Sequence, residues 1–153
     1  MDLGIKGKWA LVGGASKGLG LGCARALAHE GVHVVMVARG AEALQASVAR
    51  LQAETAGRAQ VLGVACDITT TAGREAIWQV AGGPGKHYDI AVPVAEVAGR
   101  RAASVGDHDV IRATVDGMAE RGFGRIVNIT SSAVKAPIDV LGLSNGEIGR
   151  AHV

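Results

Sequence analysis

Residues 9–20 read Trp-Ala-Leu-Val-Gly-Gly-Ala-Ser-Lys-Gly-Leu-Gly, an apolar run followed directly by a glycine-rich segment. Residues 21–30 then continue as a helix-like stretch. The order strand, glycine turn, helix is typical of dinucleotide-binding folds, in which a pyrophosphate rests on the N-terminus of the helix. Gly14, Gly18 and Gly20 would provide a tight turn, a close backbone approach to phosphate, and tight packing of helix on strand. This segment therefore predicts a cofactor-binding turn.

Two other glycine motifs are excluded by single residues. A P-loop needs a lysine directly after its second glycine, whereas Leu19 follows Gly18 here. A Gly-x-Gly-x-x-Gly motif that began at Gly18 would need glycine at position 23, where Cys23 stands. The pattern that is present is Gly-x-x-x-Gly-x-Gly.

That pattern resembles the first turn of the short-chain dehydrogenase/reductase superfamily, Thr-Gly-x-x-x-Gly-x-Gly, with Gly13 in place of the threonine. Within the superfamily, the chain is similar to 3-oxoacyl-(acyl carrier protein) reductases. The resemblance implies an α/β fold with a Rossmann-like doubly wound parallel sheet. It also implies hydride transfer between a nicotinamide cofactor and a small carbonyl or alcohol substrate, in a homo-oligomeric full-length protein. The cofactor contacts implied for the turn come from Gly14, Ser16, Lys17, Gly18, Leu19 and Gly20.

The end of the second predicted strand, 32–37, bears on the choice of cofactor. The strand leads into Ala38 and Arg39, with no acidic residue to bind a ribose 2′-hydroxyl, whereas a cation suits a 2′-phosphate. Arg39 together with Lys17 resembles the family's signature for NADP, so NADP is expected rather than NAD. The alternative is that both are solvated surface cations.

The third predicted strand, 59–65, is followed by Cys66, Asp67 and Ile68. The last two resemble the family's Asp-Ile pair at the adenine edge, which implies that Asp67 accepts a hydrogen bond from the adenine amino group. The alternative is a helix cap, because the three threonines at 69–71 follow and all four residues are capping types. The adenine interpretation is favoured, since the carboxyl end of a strand borders the nucleotide crevice.

A catalytic serine is expected at the end of the last predicted strand. Residues 124–132 read Gly-Arg-Ile-Val-Asn-Ile-Thr-Ser-Ser and resemble the family's fifth strand, which ends at that serine. The alignment implies that Ser131 is catalytic and hydrogen-bonds the substrate oxygen, with Ser132 as the alternative.

The family's catalytic tyrosine, and the lysine that lowers its pKa, have no counterpart here. The one tyrosine, Tyr88, lies at the start of the fourth predicted strand, and Ser144 and Ile148 stand where the pair is expected. A serine hydroxyl titrates far above tyrosine and is a poor proton donor. Two interpretations stay open: an oxidoreductase encoded by the parent gene, or a catalytically inactive nucleotide-binding fragment.

Apolar runs and turn residues predict alternating strands and helices. The predicted strands are 8–13, 32–37, 59–65, 88–94 and 125–130, and the predicted helices are 20–30, 41–56, 71–81 and 108–121. This alternation predicts a parallel sheet covered on both faces. The apolar runs at 32–37 and 125–129 predict buried strands. About five strands are expected, without the family's last strands and helices.

Residues 91–109 depart from the resemblance. Residues 89–90 still match, but Pro93 would remove a hydrogen-bond donor from a central strand. The segment 89–131 also aligns as roughly fifteen residues too short for the expected crossover. We therefore expect 91–109 to be a divergent loop or the product of a frameshift and deletion, within an NADP-binding domain of residues 1–146.

The last seven residues, 147–153, read Glu-Ile-Gly-Arg-Ala-His-Val. They match the translation of GAG ATC GGA AGA GCA CAC GTC, a common sequencing adapter, so the native sequence is expected to stop near Gly146. The fifth strand would then be an unprotected sheet edge, and such edges invite aggregation. The expressed chain is expected to be poorly soluble or dynamic.

Composition narrows the classes of function. The 153 residues are 48% hydrophobic with a formal net charge of +2, which suits one domain and lacks the basic stripe that nucleic acid requires. No apolar run approaches a membrane span, so a soluble cytoplasmic protein is expected. No metal site is expected, because Cys23 and Cys66 are far apart in sequence. A helix end also separates His29 from His33.

Overall fold

The computed structural model describes residues 2–93 and 101–129, with side chains described for 2–93 and 108–129. Strands and helices alternate along these residues, as the sequence predicts. The elements are β1 Trp9–Val12, α1 Gly18–His29, β2 His33–Ala38, α2 Ala41–Thr55, β3 Val61–Ala65, α3 Thr71–Trp78, β4 Ile90–Val92, α4 Arg101–Glu120 and β5 Arg125–Ile126.

The described strands form one five-stranded parallel sheet in the order β3-β2-β1-β4-β5. Leu11 in the middle strand pairs with Val35 on one side and with Ala91 on the other. The chain therefore winds outward from β1 in one direction and then returns to wind outward in the other. The prediction of an α/β, Rossmann-like doubly wound sheet is confirmed.

Alternate residues of each strand face opposite layers of helices, which gives the sheet two cores. One core joins the strands to α1 and α2 and includes Ala10, Val12, Met36, Ala24, Ala28, Leu44, Val48 and Leu51. The other joins them to α3 and α4 and includes Leu11, Val35, Val37, Ile77, Tyr88, Val110 and Met118. The predicted cover on both faces is thus present for the strands between these helices.

The amino end of the sheet is fastened by Asp89. Its Oδ2 accepts a hydrogen bond from the Trp9 backbone N–H at 3.0 Å, across 80 positions of sequence. Its Oδ1 lies 3.6 Å from Nε of Arg121, which also donates from Nη2 to the Tyr88 carbonyl at 2.7 Å. One buried carboxylate thereby ties together the starts of β1 and β4 and the end of α4.

The fifth strand differs from its prediction. Only Arg125 and Ile126 are in strand conformation, extended by a 2.9 Å hydrogen bond from the Val127 N–H to the Ala91 carbonyl. Ile126 and Val127 are 38% and 47% exposed, so the prediction of a buried strand over 125–129 is wrong. The physical reason is that β5, at the edge of the described sheet, contacts mainly β4 among the described elements, whereas the other edge strand, β3, packs against α2.

Two boundaries around the segment 91–109 also differ from the sequence expectation. β4 ends at Val92, so Pro93 follows the strand instead of interrupting it. α4 begins at Arg101 instead of residue 108, so residues 101–109 are helical and do not form the expected loop. Residues 94–100 lie outside the described part of the chain, and a corrupted 91–109 stays a prediction. Within residues 2–93 and 101–129, no helix combines the length and apolar character needed to cross a membrane.

Candidate nucleotide-binding site

The glycine turn connects β1 to α1 and has a backbone that only glycine adopts easily. Gly14 and Gly18 both have φ of +56°, in the left-handed region. A Cβ on Gly20 would lie 2.6 Å from the Gly13 carbonyl oxygen and would also meet the Gly14 carbonyl. No described atom lies within 4 Å of a Cβ built on Gly18. The turn is therefore closely packed beneath Gly20 and open above Gly18.

The N-terminus of α1 is available to an anion. Lys17 occupies the N-cap position, and no described side chain caps the helix there. The first turn contains no acidic residue, so nothing on the helix neutralises its positive dipole end. The Leu19 side chain next to it is 67% exposed. The N-terminus of α1 thus lacks a side-chain cap and lies next to an exposed apolar side chain.

Backbone hydrogen bonds bring the predicted cofactor residues to one edge of the sheet. The Ala15 N–H donates to the Val37 carbonyl at 3.1 Å, which fixes the turn beside the end of β2. The Cys66 N–H donates to the Ala38 carbonyl at 3.0 Å, which fixes the end of β3 beside the same point. Exposed Lys17, exposed Arg39 and exposed Asp67 follow these three strand ends. Their roles toward a cofactor stay predictions.

Ser47 of α2 also holds the turn in place. Its hydroxyl donates to the Ser16 carbonyl at 2.9 Å, so the segment that carries Lys17 is attached to the helix that follows Arg39. Nothing in the sequence motif marks Ser47 for this contact, because the bond joins residues 31 positions apart.

Asp67 does not cap the next helix. Its Oδ1 accepts hydrogen bonds from the N–H and the hydroxyl of Thr69, at 3.0 and 2.7 Å. The cap of α3 is Thr70, whose Oγ1 accepts from the Gly73 N–H at 3.0 Å. The alternative that Asp67 is a helix cap is therefore wrong, because one of the threonines that follow it caps α3 instead. Neighbouring Ile68 is half-buried, and its carbonyl accepts a 3.0 Å hydrogen bond from Nη1 of Arg74.

The two cysteines are half-buried instead of fully buried as small core residues would be. Burial raises the pKa of the Cys66 thiol, and the adjacent Asp67 carboxylate raises that pKa further. Cys66 is thus protonated at neutral pH and is not poised as a nucleophile. Within the described residues, no three His, Cys, Asp or Glu side chains are grouped as metal ligands.

The predicted catalytic residue Ser131 and its alternative Ser132 lie outside the described residues, as do Ser144 and the segment 147–153. Tyr88 is described. It is fully buried at the amino end of β4, with its ring 6.0 Å from that of Trp78. Burial raises the pKa of its phenol, and its hydroxyl has no hydrogen-bond partner among the described residues. The glycine turn and Asp67 lie at the carboxyl ends of the strands, so Tyr88 lies at the opposite edge of the sheet from them.

The glycine turn and the ends of β2 and β3 fall within the region that a protein-family model matches. The model, short chain dehydrogenase, matches residues 8–110. The chain belongs to this family. The resemblance inferred from the glycine turn is therefore confirmed, and the family is one of oxidoreductases.

Relatives of the short-chain dehydrogenase family agree with this assignment. The chain is 34% identical over 145 residues to a putative ketoacyl reductase of Streptomyces coelicolor, which covers 82% of this chain and 54% of the relative. It matches the structure of L-sorbose reductase from Gluconobacter frateurii, solved with NADPH and L-sorbose, with a TM-score of 0.84 and 29% identity. That match covers 98% of this chain and 62% of the reductase.

A xylitol dehydrogenase bound to NAD+ has the same fold, with a TM-score of 0.81 at 23% identity, covering 96% of this chain and 62% of that one. Solved relatives with this fold thus hold either nicotinamide dinucleotide. The chain spans about half the length of most curated relatives that it matches.

Proposed function

We propose that this chain is the cofactor-binding part of an oxidoreductase that transfers hydride between NADP(H) and a small carbonyl or alcohol substrate. The observation that carries the proposal is the turn before α1, with Gly14 and Gly18 at positive φ and Gly20 packed beneath the turn carbonyls. The uncapped helix N-terminus fits a pyrophosphate, because its N–H groups and dipole stabilise an anion. When bound, the nicotinamide supplies or accepts the hydride.

The preference for NADP is proposed from charge. Lys17 precedes α1 and Arg39 follows β2, and both side chains are exposed at the edge where the glycine turn is fixed to β2. A 2′-phosphate would gain charge-assisted hydrogen bonds from these two cations, whereas a ribose 2′-hydroxyl would find no carboxylate after β2. The L-sorbose reductase solved with NADPH supports this choice.

The adenine ring is proposed to lie against Asp67 and Ile68. The Thr69 hydrogen bonds hold the Asp67 carboxylate at the carboxyl end of β3, where it can accept from the adenine amino group. Ile68 would supply an apolar surface for the ring. Under this proposal, the described residues would contact the adenine, the 2′-phosphate and the pyrophosphate of the cofactor.

The substrate side of the proposal rests on Ser131, which would hydrogen-bond the reacting oxygen. A second candidate is a nucleotide-binding fragment without catalysis. The burial of Tyr88 favours it, since the one tyrosine of the chain cannot act as the proton donor. For the oxidoreductase, we also propose a cytoplasmic location and a homo-oligomeric full-length protein.

Titration of the chain with NADPH and NADH tests the cofactor proposal. NADPH is expected to bind more tightly, and Arg39→Ala should weaken NADPH binding about tenfold or more, since hydrogen bonds to charged groups contribute about 1.5–3 kcal/mol. NADH affinity should not change. Arg58→Ala is the matched control, because Arg58 is an exposed arginine that precedes β3 at the opposite edge of the sheet. Equal affinity for both cofactors in the unmodified chain would overturn the preference.

Turnover separates the two candidates. Oxidation of NADPH in the presence of a panel of small ketones and β-ketoacyl thioesters would support the oxidoreductase, provided that Ser131→Ala lowers kcat. NADPH binding with no turnover would support the inactive fragment. Failure to bind either nicotinamide dinucleotide would contradict both.

A further inference from the structure

We propose that Arg74 is a positioning residue that holds residues 66–70, the adenine loop, in the shape that receives the adenine ring. This inference rests on the proposed function, because the loop is an adenine site only if the cofactor binds as described above. Arg74 lies in the first turn of α3, and its side chain is only 17% exposed. An arginine so well covered at a sheet edge needs partners for its guanidinium.

The guanidinium of Arg74 has three partners. Nη1 donates to the Ile68 carbonyl at 3.0 Å, and Nη2 lies 3.4 Å from Oγ1 of Thr71. Nη2 also lies 3.2 Å from a carboxylate oxygen of Asp109 in α4. The planar fork of arginine can serve all three at once, whereas a lysine ammonium on a flexible stem cannot hold the same fixed geometry. Arg74 therefore links the adenine loop to both helices on its side of the sheet.

The loop has little other freedom. Its start is fixed to β2 by the Cys66 hydrogen bond, and its end is the Thr70 cap of α3. A Cβ on Gly73 would overlap the Asp67 carbonyl oxygen, so the first turn of α3 packs directly against the loop backbone. The Ile68 carbonyl lies between these two fixed ends and is held by the hydrogen bond from Arg74. Loss of that contact would let the peptide between Ile68 and Thr69 rotate and redirect the Asp67 carboxylate.

The proposal predicts that Arg74 controls the preference for a dinucleotide with adenine over one with hypoxanthine. Asp67 would recognise the adenine amino group, so a hypoxanthine analogue, which has a carbonyl in its place, should bind less well. The ratio of the two dissociation constants therefore reports the position of the Asp67 carboxylate. A residue with a merely structural role would weaken both ligands equally and leave the ratio unchanged.

The test compares NADPH with its hypoxanthine analogue on the unmodified chain and on three variants. Arg74→Lys keeps the charge but loses the fork, and the adenine preference should fall roughly fivefold to tenfold, because ordering a loop for binding has a cost of that order. Asp109→Asn removes the charge that anchors Arg74 and should cause a smaller fall. Arg112→Ala, an exposed arginine of α4, is the control and should leave the ratio unchanged.

Each outcome decides a different point. A preserved adenine preference in both Arg74→Lys and Asp109→Asn would overturn the positioning role while leaving the proposed function intact. An unmodified chain that binds both dinucleotides equally would overturn the adenine loop itself. An unmodified chain that binds neither would overturn the proposed function. If Arg74→Lys fails to fold, Asp109→Asn carries the comparison, because it changes an ion pair that is 39% exposed on the aspartate side.

Discussion

Strands β2 and β5 both pair in parallel within the sheet but bury their side chains very differently. In β2 the residues Val34, Val35 and Met36 are fully buried, whereas Ile126 in β5 is 38% exposed. β2 pairs in parallel with β1 and β3, and β5 pairs in parallel with β4. The difference shows that hydrogen bonding places a strand in the sheet, while helices on both faces are what bury it. The proposed cofactor residues follow the buried strands, and the predicted catalytic serine follows the exposed one.

The largest expected effect comes from truncating one side chain in each of these two strands. Met36→Ala should lower the free energy of unfolding by about 2–5 kcal/mol, because it empties a fully buried site. Ile126→Ala should cost less than about 1 kcal/mol, since much of that side chain is already in water. Urea denaturation followed by circular dichroism measures both. Similar losses for the two variants would show that β5 is covered in solution.

The next effect concerns two glycines of α1 that the structure treats differently. Gly20→Ala should cost about 1–3 kcal/mol of stability, because the new methyl group would meet the turn carbonyls. It should also weaken NADPH binding, since the turn must shift. Gly22→Ala is the matched control, with no described atom within 4 Å of its Cβ. Alanine there should stabilise the helix by up to about 1 kcal/mol. Equal behaviour of the two variants would contradict the close packing beneath the turn.

Much of the region around β1 and β2 could be predicted from the sequence. The segment 9–20 predicts strand, turn and helix, because an apolar run and a cluster of turn glycines are both visible in adjacent residues. The predicted helix at 41–56 matches α2, Ala41–Thr55, for the same reason. The cofactor residues were predicted by resemblance, and the structure places Lys17, Arg39 and Asp67 at the ends of adjacent strands.

The rest depends on contacts between distant residues. The apolar run at 125–129 predicts burial, but whether a helix covers it is a tertiary fact. The Asp67 side chain could equally have capped α3, and only the Thr70 geometry decides between them. Arg74 is one of many arginines in the sequence, and its partners Ile68 and Asp109 become visible only in three dimensions.

A smaller effect is expected from the buried hydroxyl of Tyr88. Tyr88→Phe should stabilise the protein by about 1 kcal/mol, because it removes a polar atom that has no described partner. The raised pKa of Tyr88 adds a pH signature. The part of the free energy of unfolding that is linked to this raised pKa is fully present below the unfolded tyrosine pKa of about 10. It is lost as the pH rises above that value.

Thermal melts between pH 8 and 11 separate these effects. The unmodified chain should lose more stability above about pH 10 than Tyr88→Phe does, since the variant has no phenol to ionise. Parallel curves for the two proteins would mean that the hydroxyl is solvated. In that case the second core would be less tightly closed than the core that contains Met36.

The smallest effect is a difference in thiol reactivity at the end of β3. In a Cys23→Ser background, Cys66 should react with iodoacetamide more slowly than a cysteine in a short peptide, because its pKa is raised. Asp67→Asn should speed the reaction modestly, since the carboxylate is the lesser cause of the shift after burial. Reaction rates at pH 8 followed by mass spectrometry give the answer. A slower reaction in Asp67→Asn would contradict the electrostatic cause.

The hydrogen bond from the Trp9 N–H to the Asp89 carboxylate has a consequence for how the chain folds while it is being synthesised. The central strand is synthesised first, yet its second neighbour arrives only 80 residues later. At about 5–20 residues per second, a ribosome takes roughly 4–16 s to cover that interval. During this time β1 can pair with β2 on one side while its other edge stays open. A nascent chain would therefore need a chaperone most before Asp89 emerges, and completion of β4 should end that requirement.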